Sequence, residues 1–143
     1  MAPDKTRLRR LKRLERIRDI ARMEALERAA TAERQFARQA ELARRSDELA
    51  QAFAQRWEAQ SGCDLRDLRS FHAGLAVLSH TTLRESEQAR ASADFHRQDA
   101  AAASRKRDLV SEQLGAATQR MAKDRTAKSL IEKAHLARSL NSR

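Results

Sequence analysis

The chain has 143 residues, with 30 Lys and Arg against 20 Asp and Glu, a formal charge of +10, and only three glycines, one proline and no tyrosine. A many-stranded sheet is excluded, since tight turns draw on Gly, Pro, Asn, Asp and Ser and strands favour aromatic and β-branched residues. The dominant residues (Ala, Arg, Leu, Gln, Glu, Ser) give the composition of a coiled coil or long helix, with too few large apolar side chains for a core of ordinary kind.

Length sets one structural unit, a single hairpin over 1–143. No apolar run of about 18 residues is present to span a bilayer, and no apolar stretch of signal type follows the basic N-terminus. Cys63, the one cysteine, has no internal partner and fits a reducing cytoplasm. Disorder is the alternative for a charged chain with few aromatics; the regular periodicity speaks against it.

The first predicted helix spans about residues 4–60, free of Gly and Pro from Asp4 onward and rich in strong helix formers. A small or apolar stripe runs from Leu14 and Ile17 through Ala21, Ala25, Ala29, Ala32, Phe36, Ala40 and Ala43. It then passes Asp47, the one exception, to Ala50, Ala54 and Trp57. That is twelve steps over 43 residues, 3.58 per step, between the coiled-coil repeat and the helical one. Such a helix is about 85 Å long.

The strongest break is Ser61-Gly62-Cys63-Asp64. Gly62 suits the left-handed position that ends many helices, and Asp64 suits the cap of the next one. The turn is therefore expected at about 61–64, with Gly74 as a weaker alternative. Helix two is expected over about 65–140. One seam row is Leu68, Leu75, Thr82, Ala89, His96, Ala103, Val110 and Ala117; the companion row is His72, Ser79, Ser86, Ala93, Ala100, Arg107, Leu114 and Met121. A last apolar group, from Leu130 to Leu140, carries the helix nearly to the end.

The two patterns fit each other. A fold-back at the break pairs residue i with about 125 − i, so that Phe36 meets Ala89, Ala43 meets Thr82, Ala50 meets Leu75 and Trp57 meets Leu68. The expected fold is all-α, a long antiparallel two-helix coiled-coil hairpin whose second helix overhangs the first. A parallel dimer of one continuous helix is the competing arrangement.

Charge is concentrated at the two ends: residues 5–22 carry +7, residues 105–143 carry +6, and residues 23–104 carry −2. A hairpin brings both basic segments to one end, where self-repulsion calls for an acidic partner such as nucleic acid, anionic lipid or an acidic protein surface. Leu8, Leu11, Leu14 and Ile17 leave an apolar strip among the arginines, which suits a protein groove or membrane surface at least as well as a phosphate backbone. Neither basic segment holds an aromatic residue on which bases could stack.

No chemistry-bearing motif appears. Gly62, Gly74 and Gly115 are isolated, so there is no phosphate-binding loop, and His72, His80, His96 and His135 form no HExxH or Cys/His cluster. His72 and His80, eight apart, share a helix face and read as solvated or seam-edge histidines. Cys63 has no neighbouring base and reads as a turn residue. The expectation is a non-enzyme with no cofactor, no metal and no small-molecule substrate.

The stretch Lys5-Thr6-Arg7-Leu8-Arg9-Arg10-Leu11-Lys12-Arg13-Leu14-Glu15-Arg16-Ile17-Arg18 opens a chain of this length with a basic, leucine-spaced helix. In this the sequence resembles the flagellar FliJ family of export-apparatus stalk proteins, which is related to the stalk proteins of type III secretion injectisomes. The resemblance covers nearly the whole chain by pattern. It implies a two-helix antiparallel coiled coil, like the rotor stalk of rotary ATP synthases. Such a stalk enters the pore of a hexameric export ATPase, links it to the export gate membrane protein and takes part in handling export chaperones. Leu8, Leu11, Leu14 and Ile17 are then ATPase packing residues, and Arg9, Arg10, Arg13 and Arg16 its charge contacts. Phe71, Leu75 and Leu78, on one helix face, resemble the surface that meets the export gate; seam packing is their plain alternative. Where many members end in an acidic, glutamate-rich stretch, this chain ends in the basic Ala137–Arg143.

The expected location is cytoplasmic, extending to a peripheral position at the cytoplasmic face of the inner membrane. The rival readings are a nucleic-acid-binding basic coiled coil, disfavoured by the Leu and Ala spread among the arginines, a membrane-surface protein acting through residues 5–26, and an ATPase inhibitor.

Overall fold

In the computed structural model, which describes residues 2–55 and 62–141, the chain forms two long α-helices packed against each other, α1 (Ala2–Ala54) and α2 (Gly62–Asn141). No strand occurs among the described residues.

Two boundaries differ from expectation. Helix α1 ends at Ala54 and not near residue 60, and Gly62, expected to terminate it, opens α2 without a positive φ. Asp64, expected as the cap, lies inside the first turn of α2, where its charge still favours the helix dipole. Most of the connection, and the expected Trp57–Leu68 pair with it, lies outside the described residues. The early end of α1 coincides with contacts to α2. Phe53 packs edge-on against Phe71, ring centroids 4.8 Å apart, and the His72 ring Nε2–H donates to the Phe53 carbonyl at 2.8 Å. One of the carbonyls that a helix end leaves without an intrahelical partner is thus satisfied from the other helix. Helix α2 runs unbroken through Gly74 and Gly115.

A row of buried and half-buried residues at alternating three- and four-residue steps runs along each helix. On α1 the row of buried and half-buried residues is Leu8, Leu11, Glu15, Arg18, Arg22, Ala25, Ala29, Ala32, Phe36, Gln39, Ala43, Ser46, Ala50 and Phe53. From Leu11 to Phe53 it takes twelve steps over 42 residues, 3.50 per step, the repeat of a left-handed supercoil. The expected stripe, at 3.58, drifts off this row at its N-terminal end. It also placed Asp47 where Ser46, 4% exposed, enters the seam. On α2 all sixteen expected seam positions, Leu68 to Met121, are buried or half-buried.

By its packing the chain divides into two compact units, one of Glu24–Ala100 and one of Met1–Met23 with Ala101–Arg143. In the unit of residues 24–100 the seam is made of small side chains. Ala25, Ala29, Ala32, Ala43, Ala93 and Ala100 are buried, along with Ser46, Thr82 and Ser86, and among the described residues of the unit Leu75 is the one large buried apolar residue. Small seam residues allow the backbones to approach closely. The Thr82 hydroxyl donates to the Ser79 carbonyl at 3.0 Å, so its burial leaves no unmet polar group. Two ion pairs flank the seam: Arg28 meets Asp99 at 3.5 Å, and Arg97 Nε donates to Glu33 at 2.7 Å. Arg28 and Asp99 each precede a seam residue, Ala29 and Ala100, on one flank; Glu33 and Arg97 each follow one, Ala32 and His96, on the other. Their residue numbers sum to 127 and 130, near the expected 125.

Glu41 accepts hydrogen bonds from Arg44 and Arg45, and these hold its carboxyl down at about 2. The same bonds, reinforced by Glu48, push the Arg44 guanidinium above its ordinary value.

In the other unit Val110 is buried, and Leu8, Leu11, Leu114, Ala117 and Met121 are half-buried in the seam. The same seam carries a charged layer of Glu15, Arg18, Arg22 and Arg107. Arg107 Nε lies 3.6 Å from Asp19, and Arg22 lies 4.0 Å from the same carboxylate. Polar residues at seam positions cost stability and fix register. From Ala122 to Asn141 every residue of α2 is exposed.

Candidate functional site

Residues 1–23 and 101–143 together carry nineteen basic against seven acidic residues, +12, whereas residues 24–100 carry eleven against thirteen, −2. Both basic segments of the sequence therefore belong to one packed unit.

The expected apolar strip of that unit divides in two. A helix turns about 100° per residue, so a row spaced by three retreats about 60° per step. Leu8 and Leu11 therefore point into the seam, half-buried, while Leu14 and Ile17 come out on the surface, Ile17 at 52% exposure. The outward row continues through Ile20 and Met23, both more exposed than Ile17. Leu14, Ile17, Ile20 and Met23 thus form an exposed ridge that winds about half-way round α1, bordered by the exposed Arg9, Arg10, Arg13 and Arg16. In the sequence Ile20 and Met23, with Leu26, make a second apolar stripe beside the first near the N-terminal end.

The expected gate-facing trio is also divided. Leu75 is buried in the seam, so it is a packing residue and not part of a surface. Its neighbours Phe71 and Leu78 are 50% and 48% exposed on the flank defined by Arg28 and Asp99. Helix α1 adds Leu42 and Leu49, 48% and 49% exposed, to that same flank. Leu49 and Leu78 sum to 127, as Arg28 and Asp99 do, so they face each other across the seam. A shallow groove beside them is lined by Ser70, Phe71, Gly74, Leu75 and Leu78. Leu42 and Leu49 were legible as residues one step before the seam alanines Ala43 and Ala50; that reading needed the correct register of α1.

His72 is taken up by the α1 end, His80 and His135 are exposed, and His96 is half-buried beside Ala100 with a buried Nδ1. Cys63 is exposed. Among the described residues no three His, Cys, Asp or Glu side chains gather as a metal site, and no helix is long and apolar enough to cross a membrane.

These features define a class, the antiparallel two-helix coiled-coil hairpin with a small-residue seam. Comparison of the chain with protein-family models, with curated proteins and with solved structures finds no match.

Proposed function

We propose that this chain is a non-enzymatic stalk or coupling protein of a flagellar-type protein export apparatus. Its basic unit binds a hexameric export ATPase, and its apolar flank engages the export gate. The observation that carries the reading is the exposed ridge of Leu14, Ile17, Ile20 and Met23 set among solvated arginines in a unit of charge +12. Long-range attraction by such a charge raises the rate of encounter with an acidic socket, and the apolar ridge slows release. Arg9, Arg10, Arg13 and Arg16 supply the attraction. Leu8 and Leu11, half-buried in the seam, hold the ridge in place. Phe71 and Leu78, with Leu42 and Leu49, form the second surface. Export chaperones are further partners, and the site of action is cytoplasmic, at the inner face of the membrane that holds the gate.

The ridge separates this reading from its main rival, since nucleic acid needs the arginines but not the isoleucines. The test is recovery of partners from lysate on the purified full chain, followed by ATPase assay of the recovered hexamer, with an Ile17→Glu/Ile20→Glu variant alongside. Both positions are exposed, so helicity is expected to be unchanged while ATPase recovery is lost. Recovery of nucleic acid in place of any ATPase, undiminished in the variant, refutes the proposal.

A further inference from the structure

In the unit of residues 24–100 two flanking pairs across the seam hold opposite charges: Arg28 faces Asp99, and Glu33 faces Arg97. Two equivalent pairs in the other unit hold like charges. Arg7 and Arg120 sum to 127, as Arg28 and Asp99 do, and Lys5 and Arg125 sum to 130, as Glu33 and Arg97 do. Arg7 and Arg120 line one cavity of about 240 Å³ whose other walls are Gln113, Ala116, Ala117, Met121 and Asp124. Among the described residues neither Arg7 nor Arg120 has an ion-pair partner, and Asp124 is the one carboxylate on the cavity wall.

We infer that Arg7 and Arg120 form a clamp for a carboxylate side chain of an acidic polypeptide, which enters the cavity and bridges the two helices. Facing like charges destabilise a helix pair where opposite charges would support it, so this part of the seam is incomplete without an anion. Two guanidinium groups supply the forked donors that fit carboxylates. The alanines and Met121 offer the stem of a Glu or Asp side chain an apolar wall, which a phosphate on a nucleic-acid backbone would not use. The clamp deepens the proposed function, because it gives the acidic partner a second point of attachment apart from the ridge.

The test needs no ATPase, so its failure is separable from failure of that proposal. The full chain is titrated with a short fluorescein-labelled oligoglutamate peptide and, in parallel, with a labelled DNA duplex, and each variant is melted by circular dichroism. Arg120→Glu sets opposite charges across the seam. It is expected to weaken oligoglutamate binding by about tenfold or more, the usual scale for a lost charge-assisted hydrogen-bonded pair, while raising Tm by about 2–4 °C. Arg105→Glu removes the same charge from an exposed position outside the cavity; it is expected to weaken binding by about twofold, as a general field effect, without raising Tm. Equal losses in the two variants, or a fall in Tm for Arg120→Glu, overturn the clamp. So does a duplex whose binding depends on Arg120 when oligoglutamate binding does not.

Discussion

Ala93 is 1% exposed, and Ala32, its partner under the expected sum of 125, is 7% exposed. The close approach of the two helices rests on such pairs, and Ala93→Leu tests it. The substitution adds three carbon atoms where the facing side chain has one. The seam must then part locally, or the new side chain must leave its preferred rotamer, and overpacking of this kind costs about 1–3 kcal/mol. A buried methyl contributes about 0.8 kcal/mol, so the loss is comparable to that of about one to four buried methyls and loosens the seam around residue 93. Ala91→Leu is the control: it makes the same change of composition at an exposed position two residues away, with almost no change in helix propensity. Thermal unfolding by circular dichroism reads the difference, and amide exchange on α1 near Ala32 localises it. If Ala93→Leu is as stable as Ala91→Leu, or more stable, the helices are not held at close approach there and the reasoning fails.

Two further outcomes follow from single residues. A Cβ added at Gly115 meets nothing within 4 Å, and its φ is not positive; Gly115→Ala is therefore expected to stabilise the chain by about 0.5–1 kcal/mol in chemical denaturation. The Glu41 carboxyl, held near 2 against an ordinary 4.5 by Arg44 and Arg45, gives stability that is fully present above 4.5 and is lost as the pH falls through about 2. Carbon-13 NMR of the Glu41 carboxyl is expected to show that low midpoint, and Arg44→Gln/Arg45→Gln to return it to the ordinary range.

The second helix was largely legible in the sequence and the first only in part, for a physical reason. On α2 small and apolar residues occupy the seam at every step but a few, so counting by sevens from Leu68 finds all sixteen positions. On α1 the seam takes Glu15, Arg18 and Arg22 while Leu14, Ile17 and Ile20 lie outside. Hydrophobicity there points away from the partner helix, and a stripe drawn through the apolar residues acquires the wrong period. Ser46 and Asp47 show the same conflict on a smaller scale: both are polar, and only the three-four alternation tells which is buried. The end of α1 was misplaced because the determinant is not local. His72 and Phe71, some nineteen residues away, complete a helix end at Phe53, whereas Gly62 offered a plausible stop nearby. The basic unit was legible from the charge distribution once the fold-back was seen; the facing of Arg7 with Arg120 required the register.

A seam built from alanine and serine has a consequence for how this protein can change over generations. Among the described residues eighteen large apolar side chains are exposed, against a single buried leucine and a single buried valine, and these eighteen are mostly not needed to hold the helices together. A substitution at Ile17, Leu49 or Phe71 alters what the molecule recognises with little effect on whether it folds, and a substitution at Ala32 or Ala93 does the reverse. The scaffold and its vocabulary of contacts are thus free to diverge separately, and lineages can trade binding partners while keeping the same backbone.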